Sequence, residues 1–117
     1  MGSIVKAVCE CGFKTEDMCL GGGMSNFTTV CSFPNYCKSC KSFFIANMFD
    51  EKIICVNCKS EETLPYNDKS LVKDLSRTSF GWNSDTKYGQ LKLSEKNSFC
   101  PKCENYSLEF IRVGLWD

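Results

Sequence analysis

The 117-residue sequence contains no histidine, and that absence excludes several kinds of chemistry at once. Ser-His-Asp and Cys-His nucleophilic machinery is unavailable in its usual form. Catalytic zinc commonly takes three protein ligands, histidine often among them, and keeps a fourth position for water. The nucleobase-deaminase pattern needs a metal ligand two residues before a glutamate. The chain has "CPKC" (100–103), which echoes the second half of that pattern, but no Cys-x-Glu anywhere. An enzyme is therefore not expected. Net charge is missing as well, with 14 basic and 14 acidic residues, so the phosphate neutralisation that drives nucleic-acid binding is disfavoured. No stretch approaches the ~20 apolar residues of a membrane span. "MGSIVKAV" (1–8) lacks the apolar length of a leader. A cytoplasmic location away from membranes, with reduced thiols, is the expectation.

What the sequence does have is cysteine, ten in all. Such a count signals a disulfide scaffold or a metal protein, and a reducing compartment favours metal. Eight of the ten fall into close pairs: Cys9/Cys11, Cys37/Cys40, Cys55/Cys58 and Cys100/Cys103. Two thiolates two residues apart can turn inward together on a tight knuckle. Two knuckles then complete a four-sulfur tetrahedron around Zn2+. Four pairs make two shells, so two Zn2+ are expected, with iron the substitute in an all-thiolate site. "CEC" is one residue shorter than "CKSC", "CVNC" and "CPKC", which makes Cys9 and Cys11 the least regular ligands. Eight thiolates on two dications would leave the loaded chain mildly acidic.

Spacing alone leaves the sharing open. One arrangement joins 37/40 with 55/58 and 9/11 with 100/103; the other joins the pairs in sequential order. Loop-closure entropy grows only logarithmically and separates the two by little. The first is preferred because the segment between Cys40 and Cys55 reads as a hairpin complete within itself. Cys19 and Cys31 stand outside the pairs and read as buried small hydrophobes, with a substitute ligand or a redox-active thiol as the sharper alternatives.

The remainder of the chain reads as short strands. "IVKAV" (4–8), "NFTTVCSF" (26–33, ended by Pro34-Asn35), "SFFIANM" (42–48) paired with "EKIIC" (51–55), then "TSFGWN", "GQLKL" and "YSLEFIRVGL" are the candidates. "NDKSLVKDLSRT" (67–78) offers Asn67 or Asp68 as an N-cap and Leu71/Leu75 at helical spacing, which predicts a short helix. "GGGM" (21–24) reads as a flexible turn in preference to an anion-binding nest, because it matches neither phosphate-loop nor dinucleotide patterns. Phe27, Phe33, Tyr36, Phe43, Phe44 and Phe49 read as core. Adjacent Phe43 and Phe44 must face opposite sides of a strand, so one of them is expected to be exposed and available to a partner. Trp82 and Trp116 read as cross-strand packing.

Residues 36–60, with two Cys-x2-Cys pairs and fourteen residues between them, resemble the zinc-ribbon and rubredoxin-knuckle superfamily. "SFCPKCENYSLEF" (98–110) looks like the last knuckle and strand of another ribbon. The whole chain, with "CECGF", "GGGM" and "GLWD", is similar to small bacterial zinc-ribbon proteins without an assigned function. The resemblance implies fold and metal only. The resulting expectation is a small, metal-stabilised all-β chain, with two four-cysteine zinc-ribbon-like units packed as one compact domain over 1–117 (lobes at 1–66 and 67–117 being the finer division). Its expected role is a structural zinc-binding protein that acts as a non-catalytic protein-interaction or adaptor module with a protein partner. A nucleic-acid-binding ribbon is the alternative, motivated by Lys38, Lys41 and Lys59 beside the knuckles. A thiol-redox or metal-handling role, motivated by Cys19 and Cys31, comes third.

Overall fold

A computed structural model of the chain describes residues 2–21, 31–50, 52–73, 78–82 and 91–116. Among them are eight strands and no helix: β1 (Gly2–Cys9), β2 (Met18–Leu20), β3 (Ser32–Cys37), β4 (Ser42–Asn47), β5 (Thr63–Pro65), β6 (Thr78–Trp82), β7 (Leu91–Ser94) and β8 (Leu108–Trp116). β1 shows why the sequence extends here. Val5, Ala7 and Cys9 are buried while Ile4, Lys6 and Val8 between them are partly exposed, the period-two pattern of a strand with one face on a core.

The strands form two three-stranded antiparallel sheets and one hairpin. The first sheet runs β2-β1-β8, the second β4-β3-β5, and β6 pairs with β7. β1 and β8 lie side by side over nearly their whole length, from Gly2 opposite Trp116 to Cys9 opposite Leu108. One irregularity interrupts them. Ile4 faces Gly114 and Val5 faces Arg112, so Val113 is an extra residue and β8 carries a bulge.

The two sheets meet through aromatic side chains. Phe110 of β8 stacks at 28° on Phe43 of β4, and meets the ring of Tyr66, just after β5, edge-on at 5.4 Å. Val5, Ala7, Leu20, Leu108 and Leu93 join the same buried cluster from the first sheet and the β6-β7 hairpin.

Several expectations are corrected by this arrangement. β4 pairs with β3, not with residues 52–55, which are not a strand. The Cys37–Cys40 knuckle itself supplies the reversal between β3 and β4, and this tight local turn outcompetes a hairpin through Phe49-Asp50. Pro34 does not break β3 but lies inside it, opposite Ile45. Its carbonyl accepts from Tyr66 N on the β5 side, so its missing N–H also points there, past the end of β5, whose last residue Pro65 lies opposite Asn35. Nothing is owed to β4, and a proline is tolerated. Of the strand expected over 26–33, residues 26–30 lie outside the described residues.

No helix forms over 67–73. Asp68 closes an Asx turn instead, its Oδ1 accepting from Ser70 N and Ser70 Oγ at 2.9 and 2.7 Å. The chain then turns away, because Val72 bridges Ser98 and Leu71 O accepts from Phe99 N. Leu71 and Val72 are both buried as neighbours, which strand-like packing allows and a surface helix does not. Residues 74–77 lie outside the described residues, as do Phe27, residues 22–24 of the glycine stretch, and the side chains of Trp82 and Trp116.

Neither Phe43 nor Phe44 is exposed. They do face opposite sides, but five of the six residues of β3 are buried, so both faces of the second sheet are covered. Phe44 is buried, and Phe43 packs among Phe13, Tyr66 and Phe110. The large apolar side chains that reach solvent are elsewhere: Ile111, Val113 and Leu115 on β8, and Ile54 and Val56 at the third knuckle.

Candidate metal centre

Four knuckles bring the eight paired cysteines into two groups. Cys9 and Cys11 meet Cys100 and Cys103; Cys37 and Cys40 meet Cys55 and Cys58. This is the first of the two arrangements left open by spacing. It is produced by the β1-β8 pairing, which places Cys9 opposite Leu108 and so brings the first and last knuckles to one end of the sheet. The groups are nested: the whole of 37–58 lies within the span bounded by Cys9 and Cys103.

Local backbone geometry explains each knuckle. The residue directly after the second cysteine has positive φ in all four: Gly12 (103°), Lys41 (58°), Lys59 (64°) and Glu104 (59°). In three of them that residue's N–H turns back onto the carbonyl of the first cysteine, as Lys59 N does to Cys55 O at 3.0 Å and Glu104 N to Cys100 O at 2.9 Å. In "CEC" the same closure runs from Gly12 N to Cys9 O at 3.0 Å with one residue fewer. The shorter turn needs φ near 103°, outside the left-handed region that other residues reach. Here glycine is required, whereas two lysines and a glutamate serve in the longer knuckles. Gly12→Ala should lower stability by roughly 1–2 kcal/mol. A methyl group there would meet nothing within 4 Å, so the loss would be of backbone origin. An unchanged urea midpoint would refute this reading of the short knuckle.

The sulfur spacing tests what each group can hold. Across the first group Cys9 Sγ lies 3.7 Å from Cys103 Sγ, and Cys11 Sγ lies 3.6 Å from Cys100 Sγ. In the second group Cys37–Cys58 and Cys40–Cys55 are 3.6 and 3.5 Å apart. All four sulfurs of each group are within 4.8 Å of one another. A disulfide would need about 2.05 Å. A tetrahedron of sulfurs at ~2.3 Å from a central ion has an edge of about 3.8 Å. The groups match the tetrahedron closely and a disulfide not at all. All ten cysteines are free. The donor sets fit a metal ion, and which metal is not fixed by this geometry, since zinc and iron both take four thiolates.

Burial follows one rule. The first cysteine of every pair (Cys9, Cys37, Cys55, Cys100) is buried, and the second is half-buried or exposed. Polar neighbours then adjust the outer sulfurs. Ser42 Oγ lies 3.1 Å from Cys40 Sγ, and Asn57 Nδ2 donates to Cys40 Sγ at 3.6 Å and to Ser42 Oγ at 3.3 Å. From the protein groups alone, the Ser42 hydroxyl, aided by Asn57, pulls Cys40 down to about 6. In the other group Ser107 Oγ sits 3.1 Å from Cys9 Sγ and 3.6 Å from Cys103 Sγ. Ser107 is the main cause that brings Cys103 down to about 6. Burial, by contrast, pushes Cys100 up to about 12. The first group thus holds one thiol biased to ionise, Cys103, beside one that resists it, Cys100. A dication resolves the conflict, because metal binding takes the thiolate form of every ligand. Ser42, Asn57 and Ser107 escaped attention in the sequence, although Ser42 lies just two residues past a knuckle and Asn57 inside one.

Cys19 and Cys31 belong to neither group. Cys31 is fully buried, and burial raises its thiol to about 12, in keeping with a small core residue. Cys19 is exposed instead of buried as expected. β2 is an edge strand whose inward position is taken by Leu20, which leaves Cys19 on the outer face. Lys41 pairs with Glu104 at 3.4 Å, an exposed pair that ties the second knuckle to the fourth. No helix among the described residues is long and apolar enough to cross a membrane. Comparison of the chain with protein-family models, curated proteins and solved structures gives no match.

Proposed function

We propose that the chain is a non-catalytic zinc protein that acts as a protein-interaction module in the cytoplasm, with two structural centres of zinc-ribbon type and iron as the substitute metal. The observation that carries this reading is the completeness of each donor set. Four sulfurs at tetrahedral spacing occupy every position a four-coordinate ion offers, so no place remains for water or substrate. The centres then hold the chain in shape, and the surface does the recognising. The apolar side chains of Ile111, Val113 and Leu115, 40–59% exposed along one strand, supply the contact. Residues of that kind are what a protein interface covers.

Purified protein should carry two equivalents of zinc by elemental analysis, and capture from a native extract should return a stoichiometric partner. Leu115→Lys combined with Val113→Lys should reduce partner recovery at least tenfold while leaving the metal content at two. Recovery of chaperones alone, or unchanged capture by the double variant, would refute the interaction reading. Zinc and iron together below one equivalent would refute the structural one.

A further inference from the structure

A cleft lined by residues next to both cysteine groups plays no part in the interaction reading. Its volume is about 470 Å3, and three separated segments line it: the stretch after the first knuckle, the stretch after the second, and the interior of the fourth. Small-molecule sites typically span ~300–1,000 Å3, so the space suits a compact ligand.

Two kinds of side chain define its chemistry. Phe13 and Phe43 form an apolar corner, with ring centroids 6.0 Å apart and planes at 64°. Both are half-buried, so each still presents part of its ring to the cleft. Lys14, Lys41 and Lys102 also line it, and no acidic residue does. Lys41 has a carboxylate neighbour in Glu104. Among the described residues Lys14 and Lys102 make no ion pair.

The plainer account is that these lysines only offset the thiolates beside them. Their distribution argues otherwise. Lys38 and Lys59 are equally close to knuckles in sequence, yet neither lines the cleft. Lys14, by contrast, lies three residues beyond its nearest cysteine and does. Charge compensation alone does not require three lysines from three separate segments to line one aromatic corner.

We infer that this cleft binds a nucleotide, its base against Phe13 and Phe43 and its phosphate among Lys14, Lys41 and Lys102. Aromatic rings accept any base by stacking. Ammonium groups serve phosphate as point charges, without demanding one orientation. Because the lining hangs on three knuckles, the site depends on both centres being formed. The inference therefore rests on metal loading but not on a protein partner. The same chemistry is offered by a free mononucleotide and by one unit of a single strand.

The test is titration of the metal-loaded protein with adenosine monophosphate, followed by amide NMR. Saturable shifts at Phe13, Thr15 and Phe43 are expected. Adenosine and inorganic phosphate, given separately, should each bind at least tenfold more weakly. The exposed charge reversals Lys14→Glu and Lys102→Glu together should cost at least tenfold in affinity. Metal analysis of each sample separates a failed cleft from failed loading: the variant must still carry its metal. A six-residue oligo-deoxyadenylate that binds at least tenfold tighter assigns the site to single strands, and equal or weaker binding assigns it to free nucleotide. The absence of saturable shifts up to millimolar nucleotide, or affinity unchanged in the fully loaded double reversal, would overturn the inference.

Discussion

Removing the metal from both centres is expected to unfold most of the chain. The strands are three to nine residues long, and the first, third and fourth knuckles are each held locally by two backbone hydrogen bonds. Three of the four knuckles also put a non-glycine residue in the left-handed region, which costs roughly 1–2 kcal/mol apiece. Against this, structural zinc contributes about 10–16 kcal/mol in small zinc peptides, comparable to the whole ~5–15 kcal/mol net stability of a domain. Complete chelation at neutral pH should collapse the amide NMR dispersion, and zinc should restore it. Acid should act in the same direction. Metal binding takes each sulfur as thiolate, so protons compete with the ion as pH falls and the stabilisation it brings is lost towards acid. A near-native amide spectrum after exhaustive chelation would overturn the structural role of the centres.

The second large effect is expected at Tyr66. It is fully buried and joins the two sheets. Its ring touches Phe43 and Phe110, and its hydroxyl donates to Phe99 O at 2.8 Å. Phe99 immediately precedes a buried ligand position, so this hydrogen bond also ties the fourth knuckle to the core. Burial raises the Tyr66 phenol well above its ordinary value, so the donated proton is retained at alkaline pH. Tyr66→Ala removes the ring and leaves a cavity between the sheets, at a cost of about 3–5 kcal/mol. Tyr66→Phe removes only the hydrogen bond and should cost ~1–2 kcal/mol. Urea denaturation of the metal-loaded variants measures both. Equal losses in the two would mean that the hydroxyl, and not the ring, is the important part.

The candidate centres were the most legible part of the sequence. Ligand spacing is a local property, and two thiols on one turn point together whatever surrounds them. The strands read over 4–8 and 106–115, observed as Gly2–Cys9 and Leu108–Trp116, were legible for a related reason, since alternation records burial on a single face. Partner choice was not legible. The apolar run from 42 to 48 reads equally well against residues on either side, and the knuckle at Cys37–Cys40 decided between them. The helix expected over 67–78 does not form over its described residues 67–73, because a cap and one i,i+4 pair are weak local signals. The bridge from Val72 to Ser98, far along the chain, overrides them. The exposure of Phe43 or Phe44 was misjudged because it presumed a one-sided sheet, whereas both faces of β3 are covered. The serine and asparagine side chains around the sulfurs carry no spacing signature of their own.

The nesting of the two cysteine groups has a consequence for how the protein is made. A ribosome delivers Cys37, Cys40, Cys55 and Cys58 well before Cys100 and Cys103, so the inner ion can be captured while synthesis continues. The outer one must wait, with Cys9 and Cys11 kept reduced and unligated until the last knuckle emerges. Premature termination past residue 58 would therefore release a half-built product that holds one ion, not a chain devoid of metal.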